Sequence, residues 1–380
     1  MAEIGSWRVP SLVQELAATV QEPPSRYLIP EQDRCDGQAA GVEMPEPVPT
    51  IDLHRLLASD DSADQEAAKL RSALLNWGFF LVTGHGIESS LMDSLIAASR
   101  EFFREPLEEK QAYSNLIEGK RWQLEGYGNE QVYTQDQILD WCDRLHLRVE
   151  PEDERNIDRW PRHPESFRGL LHEYSQSCKR VKDGILRAVA RLLDLDDDDG
   201  IIGQFGDRGS TNARFNYYPA CSRPDLVLGV SAHNDACVLT LLLTDEHDVG
   251  GLQFHRDGTW YCVPPPVRGR ALLVNVGVSM EILRVPGRLH RRTLVTEMMQ
   301  IMSNGVFKSP VHRVVTNSEK ERISMAMFYA TDLEKEVQPV AELVDEKYPA
   351  RYRKIKYRDL MAAHYDCFSR RERVIESLKI

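Results

Sequence analysis

The sequence predicts an α+β chain in which a β-rich core is embraced by helices. Three observations point there. Apolar residues recur at helical spacing through the first half. From Asn212 onward short β-rich runs follow one another at close intervals, and near Leu343 helical texture returns. Many short strands separated by turn signals indicate a barrel or sandwich.

The elements read in order as follows. Residues 21–48, rich in proline and charge, read as an extended arm or linker. "VPTIDL" (Val48–Leu53) is a short strand. "ADQEAAKLRSALLNWG" (Ala63–Gly78) has helical spacing and stops at glycine. "FFLVTGHG" (Phe79–Gly86) is a buried strand, and "SSLMDSLIAASREFF" (Ser89–Phe103) a second amphipathic helix. Between Ser166 and Leu195 the positions Phe167, Leu170, Leu171, Tyr174, Cys178, Val181, Ile185, Val189 and Leu192 keep a 3–4 spacing, which makes one long helix with one buried face. The β-rich runs are "ARFNYYP", "LGVSAHND", "VLTLLLTD", "LQFHRDGTWYCV", "ALLVNVG", "SPVHRVV" and "ERISMAMFYA". The domain reading is an arm at 1–48, a helical region at 49–205, a β core at 206–340 and C-terminal helices at 341–380.

Composition narrows the function. A formal net charge of −12 with no offsetting basic stripe argues against a nucleic-acid partner and for a freely soluble protein, expected to be a monomer. Seven cysteines, scattered and without a C-x-x-C pair, fit reduced thiols in the cytoplasm better than a disulfide framework. No signal-peptide pattern opens the chain, and no run approaches a membrane-spanning length.

Histidine–carboxylate pairs at H-x-[D/E] occur at His163/Glu165, His233/Asp235, His255/Asp257 and His364/Asp366. Alternation separates them. On a strand, residues i and i+2 point to one face, and His233 and Asp235 close the apolar run "LVLGVSAHND". His163 sits beside prolines in a loop, His255 and Asp257 lead into a hairpin turn, and His364 and Asp366 lie in helical territory, where i and i+2 diverge. A third ligand is available in His312, on the β-branched "SPVHRVV". Two histidines and one carboxylate on one face of a metal form the facial triad of non-haem Fe(II) oxygenases; the competing reading is three hydrogen-bonded core side chains. Ten residues on, Arg322 and Ser324 share a strand face suited to a carboxylate, and Asn216 and Tyr218 in "NYYP" share another.

In this combination the chain resembles the plant soluble 2-oxoglutarate- and Fe(II)-dependent dioxygenases, through "WGFFLVTGHGI" (Trp77–Ile87), "DWCDRLHL" (Asp140–Leu147), "FNYYPACSRPDLVLGVSAHND", "GGLQFHRDGTWYCVPP", "SNGVFKSPVHRVVTNSEKERIS" and "FSRRERVIESLKI". The resemblance implies a double-stranded β-helix, or jelly roll, with helices outside. It implies Fe(II) on His233, Asp235 and His312. It also implies 2-oxoglutarate held by Arg322 and Ser324 with Tyr218 assisting, and Asn216 supporting the site. O2 is the oxidant and ascorbate the reductant. The reaction implied is decarboxylation of 2-oxoglutarate to succinate and CO2, coupled to hydroxylation or demethylation of an organic substrate. By position, Phe328, Arg144, Arg214 and His146 line the substrate pocket. Within the family, "TQDQILDW", "RLHLRVEP", "HPESFR", "PARYRK" and "FSRRER" resemble grass enzymes that hydroxylate β-triketone herbicides, implying a compact aromatic or diketone-like substrate.

One stretch departs from the pattern. Leu283–Ile301 reads as an insertion between "NVGVSMEI" and "MSNG", and Val278 stands where the family has aspartate. Two readings of the segment compete: a genuine surface loop, or a gene-model or retained-intron artefact; with Val278 it also supports the alternative of a catalytically inactive or impaired, binding-only family member. Loop-closure scaling puts the entropic cost of such an insertion at only about 0.8 kcal/mol.

Overall fold

The computed structural model describes residues 9–31, 34, 41–118, 121–192, 208–245, 249–265, 271–277, 309–338, 346, 349–370, 378 and 380. Leu283–Ile301, Val278 and His290 lie outside them.

Two sheets carry the architecture. One has the strand order β1 (Val42–Glu43), β12 (Thr259–Cys262), β11 (Leu252–Arg256), β14 (Val311–Val314), β9 (Val230–His233). The other runs β2 (Thr50–Asp52), β3 (Phe79–Thr83), β13 (Leu272–Val276), β10 (Leu239–Thr244), β15 (Arg322–Tyr329), β8 (Thr211–Tyr218), β7 (Asp143–Glu150), β6 (Gly126–Gly128). Two short ribbons, β4 (Leu116–Ile117) with β5 (Arg121–Trp122) and β16 (Glu336–Val337) with β17 (Ile355–Lys356), stand apart. The helices are α1 (Val13–Thr19), α2 (Leu53–Leu56), α3 (Asp61–Asn76), α4 (Ser89–Arg104), α5 (Leu107–Gln111), α6 (Phe167–Leu192) and α7 (Tyr357–Ser369).

Period-2 alternation explains how one sheet serves two surfaces. On β15, Ile323, Met325, Met327 and Tyr329 join the large core against the helices, while Arg322, Ser324, Ala326 and Phe328 line a cavity between the sheets. Neighbouring strands repeat the division. Ala213, Phe215 and Tyr217 of β8 face the helices, and Asn212, Arg214, Asn216 and Tyr218 face the cavity. The outer core draws Leu70, Ala73 and Leu74 from α3, Leu95, Phe102 and Phe103 from α4, and Leu171, Tyr174, Val181 and Ile185 from α6. A second apolar cluster ties the sheets together. Its centre is Phe79 of β3 stacked on Phe254 of β11, ring centroids 3.8 Å apart and planes 7° apart. The β11–β12 hairpin turns at Asp257 and Gly258, both at positive φ (51° and 81°), the conformation a two-residue type I′ turn demands.

The structure corrects several expectations. Among the described residues of 21–48, Tyr27, Ile29 and Val48 are buried, and Val42–Glu43 pairs in parallel with β12, so the arm packs on the fold. Helix α1 was not foreseen. It docks where the Asp143 carboxylate accepts the backbone N–H groups of Val13 and Gln14, each at 2.8 Å. Strand β7 was not foreseen as a strand either, because "DRLHLRVE" reads as charged. Asp143 and Arg144 are buried, Arg148 and Glu150 half-buried, and Leu145, Leu147 and Val149 meet the helices.

Candidate functional site

Strand pairing builds the centre. β14 and β9 run antiparallel with His312 directly opposite His233, so two residues far apart in sequence become cross-strand neighbours, ring centroids 4.2 Å apart. Asp235 lies two residues past the end of β9. Its Oδ1 lies 3.5 Å from His233 Nε2 and 3.7 Å from His312 Nε2. The three ligating atoms all fall within 4.8 Å of one another, and theirs is the one such histidine, cysteine and carboxylate cluster among the described residues.

The surrounding bonds decide which atoms face inward. His233 Nδ1 meets the Ser231 carbonyl at 2.8 Å, and His312 Nδ1 meets the Pro310 carbonyl at 3.2 Å. A carbonyl can only accept, so each imidazole carries its proton on Nδ1 and presents the Nε2 lone pair to the centre. Asp235 Oδ2 accepts from Thr240 Oγ1 and from Asn275 Nδ2, both at 2.6 Å, which leaves Oδ1 for the centre. Thr240 and Asn275 are register partners across β10 and β13. Close packing fixes the turn after Asp235: a Cβ on Gly277 would stand 2.0 Å from the Cys237 carbonyl oxygen. Burial alone would raise the Asp235 carboxyl, but facing His312, His233 and Thr240 hold it well below the usual carboxylate range. Burial, helped by His233, pushes His312 down to about 4, so its imidazole is neutral at pH 7. Two inward-facing imidazole nitrogens and one ionised oxygen, each oriented by a second bond, match the donor set of a non-haem ferrous site.

The cavity extends from this triad, with a volume of about 1540 Å³ including its open mouth. At one end, Arg322 and Tyr218 are register partners, with the guanidinium carbon 5.3 Å from the Tyr218 ring centre. Ser324 and Asn216 are the next pair on that face, with Asn216 Nδ2 donating to Ser324 Oγ at 3.4 Å.

At the other end, Phe328, Arg214 and His146 line the wall. Phe328 lies parallel to His146 at 6.5 Å. Burial and the nearby Arg144 and Arg214 push His146 well below its usual value, so this ring is also neutral. Arg144 stands one layer behind. It is buried, does not line the cavity, donates from Nη1 to the Leu124 carbonyl at 2.8 Å and lies 5.5 Å from the Trp122 ring centre.

Of the other histidine–carboxylate pairs, His163 is exposed and His255 sits on the hairpin. On a helix i and i+2 diverge, so His364 and Asp366 do not share a face. That reasoning holds for the pair, but His364 itself lines the cavity together with Tyr357, Met361, Tyr365 and Phe368 of α7. Phe368 meets the His233 ring edge-on at 5.5 Å. A 3–4 spacing through "YRDLMAAHYDCF" was the available signal for this wall.

The match to known proteins follows the same division of the chain. Residues 48–163 match the family model described as non-haem dioxygenase in morphine synthesis, N-terminal, and residues 210–331 match the 2OG-Fe(II) oxygenase superfamily. Lateral branching oxidoreductase 1 of Arabidopsis thaliana is 38% identical over 84% of this chain and 80% of its own length. Codeine O-demethylase of Papaver somniferum is 34% identical over 93% of this chain and 91% of its own. The crystal structure of JOX2 in complex with 2OG, Fe and JA superposes with a TM-score of 0.80 at 30% identity, covering 98% of this chain and 99% of that one. Among the described residues, no helix is long and apolar enough to cross a membrane. With the H-x-D…H triad in place within a jelly roll of helix-backed sheets, the chain belongs to the plant family of 2-oxoglutarate- and Fe(II)-dependent dioxygenases.

Proposed function

We propose that this dioxygenase hydroxylates or demethylates a compact, planar, aromatic or diketone-like small molecule, and that herbicide-type triketones fall within its reach. The observation that carries this reading is the part of the cavity lining around Phe328 and His146. There the parallel Phe328 and His146 rings, with Leu242, Met361 and Phe368 also lining the cavity, offer flat and apolar surface to a planar ligand.

In this reading His233, Asp235 and His312 hold the ferrous ion. When bound, that ion supplies the activation of O2 that couples 2-oxoglutarate decarboxylation to substrate oxidation. Arg322 and Ser324 take the distal carboxylate of 2-oxoglutarate. A planar guanidinium fork matches a carboxylate with two parallel bonds, and the Ser324 hydroxyl adds a third. The Tyr218 phenol is raised above its ordinary range, chiefly by burial, so it stays protonated and can donate to the same group. Asn216 ties Ser324 to Arg214 and so fixes the floor against the substrate wall. Phe328, Arg214 and His146 orient the substrate, with Arg144 supporting from behind. Aromatic side chains from α7 exclude water from the mouth.

The test is a substrate screen reading succinate, with Fe(II), ascorbate and 2-oxoglutarate supplied. Aromatic and cyclic diketone compounds should stimulate succinate release above the substrate-free rate and gain one oxygen or lose a methyl group. An inactive relative, the reading favoured by the Leu283–Ile301 insertion, would release no succinate with any compound.

A further inference from the structure

The substrate wall holds a carboxylate that its neighbours do not explain as mere surface charge. Glu130 lies in the irregular stretch between β6 and β7 and lines the cavity. Its Oε1 is 2.6 Å from Arg214 Nη1 and 3.0 Å from Arg144 Nε. One carboxylate thus bridges two guanidiniums from adjacent strands. Arg214 Nε is spent as well, donating to Asn216 Oδ1 at 2.6 Å. Arg144 Nη1 is spent on the Leu124 carbonyl. The other cation of this wall, Arg148, faces Glu125 and Glu154.

The consequence is electrostatic. Arg214 lines the cavity and already faces the Glu130 carboxylate, while Arg144 stands behind that pair. A ligand carboxylate reaching for Arg214 would meet the ionised Glu130; the two arginines pull that group down to about 2 against the opposing effect of burial. A neutral carbonyl or enol oxygen can accept from the remaining N–H groups of Arg214 without that repulsion.

We propose that Glu130 sets the substrate class: its carboxylate beside Arg214 repels carboxylate substrates and leaves Arg214 to donate to a neutral carbonyl or enol oxygen. This rests on the assignment of the Phe328–His146–Arg214 wall to the substrate. Specificity here is a rejection device as much as an attraction, and removing the device should admit the excluded class.

The test uses matched acid and amide pairs that share one shape, naphthalene-1-acetate with naphthalene-1-acetamide and phenylacetate with phenylacetamide. Binding is measured by calorimetry on the full chain loaded with Fe(II) and 2-oxoglutarate without oxygen. Wild-type protein should bind the amides about tenfold or more tighter than the acids, the scale expected for a like charge at a partly desolvated contact. Glu130→Gln should raise affinity for the acids by about tenfold, while Glu130→Asp, which keeps the charge, should retain the wild-type order. Acids bound as tightly as amides by the wild type overturn the proposal, and so does a Glu130→Gln protein that gains no affinity for either acid. The wild-type comparison stands alone as a test if the glutamine variant does not fold. Loading of iron and 2-oxoglutarate, measured first on the same sample, separates a failure of this proposal from a failure of the site assignment beneath it.

Discussion

Replacing Asn275 with alanine removes one of the two hydrogen bonds that fix the outer oxygen of Asp235, leaving only Thr240. Asn275 and Asp235 are both buried, so bulk water does not readily take the vacated place. A hydrogen bond to a charged group contributes about 1.5–3 kcal/mol, and these two are short. Loss of a group that orients a metal ligand typically costs 10–100-fold in metal affinity, about 1.4–2.7 kcal/mol. The two ranges overlap, so one number serves both readouts. Metal-free Asn275→Ala should unfold at lower temperature by the equivalent of about 2 kcal/mol, and Fe(II) affinity should fall 10–100-fold in oxygen-free calorimetric titration. The small space left by alanine admits at most a water, which would move the result toward the lower end. Affinity within twofold of wild type, with an unchanged melting temperature, would refute the claim that the β10–β13 pair presents Asp235 to the metal.

Four further outcomes follow from the same structure. Arg322→Met should raise the KM for 2-oxoglutarate by about 10–100-fold, on the scale of a charge-assisted pair, while Fe(II) affinity measured without co-substrate stays near wild type. Phe79→Ala removes the ring stacked on Phe254 between the sheets and should cost about 3–5 kcal/mol in denaturant unfolding; a loss below about 1 kcal/mol would show that the stack does not join them. Deleting 283–301 should leave iron stoichiometry at one per chain and raise the melting temperature, because all three ligands lie outside the segment; loss of iron on deletion would contradict this. Glu130 has a folded value of about 2 against an ordinary 4.5, so its ion pairs stabilise the fold above about pH 4.5 and are lost as pH falls toward 2. The stability gap between wild type and Glu130→Gln, at most about 3 kcal/mol at pH 7, should therefore narrow between pH 4.5 and the lowest pH at which both still fold.

The legible parts of this protein were those whose signal is local. Helices α3, α4 and α6 announced themselves by apolar spacing, and most β-core strands by short β-branched runs. His233 and Asp235 could be paired because both lie at one strand's end, and Arg322 and Ser324 because i and i+2 share a face. What could not be read depends on partners across the fold. Thr240 and Asn275 are ordinary strand polars until the β10–β13 register points both at Asp235. Strand β7 hides its period because Asp143, Arg144, Arg148 and Glu150 are charged, and only their partners on α1, β8 and the neighbouring loops make burial tolerable. Glu130 sits in a stretch with no periodicity, and nothing before the fold places it between two arginines. His364 failed the pairing test that picked out His233, although a helix face, not a strand face, brings it to the cavity.

The central claim is that His233, Asp235 and His312 hold one ferrous ion beside a 2-oxoglutarate gripped by Arg322. Its most direct test is oxygen-free titration of the full chain with Fe(II) and 2-oxoglutarate, followed by the visible charge-transfer absorption of the chelated keto acid. The band should saturate at one iron per chain and vanish in Asp235→Ala. No band in the wild type, or an undiminished band in Asp235→Ala, would contradict the account.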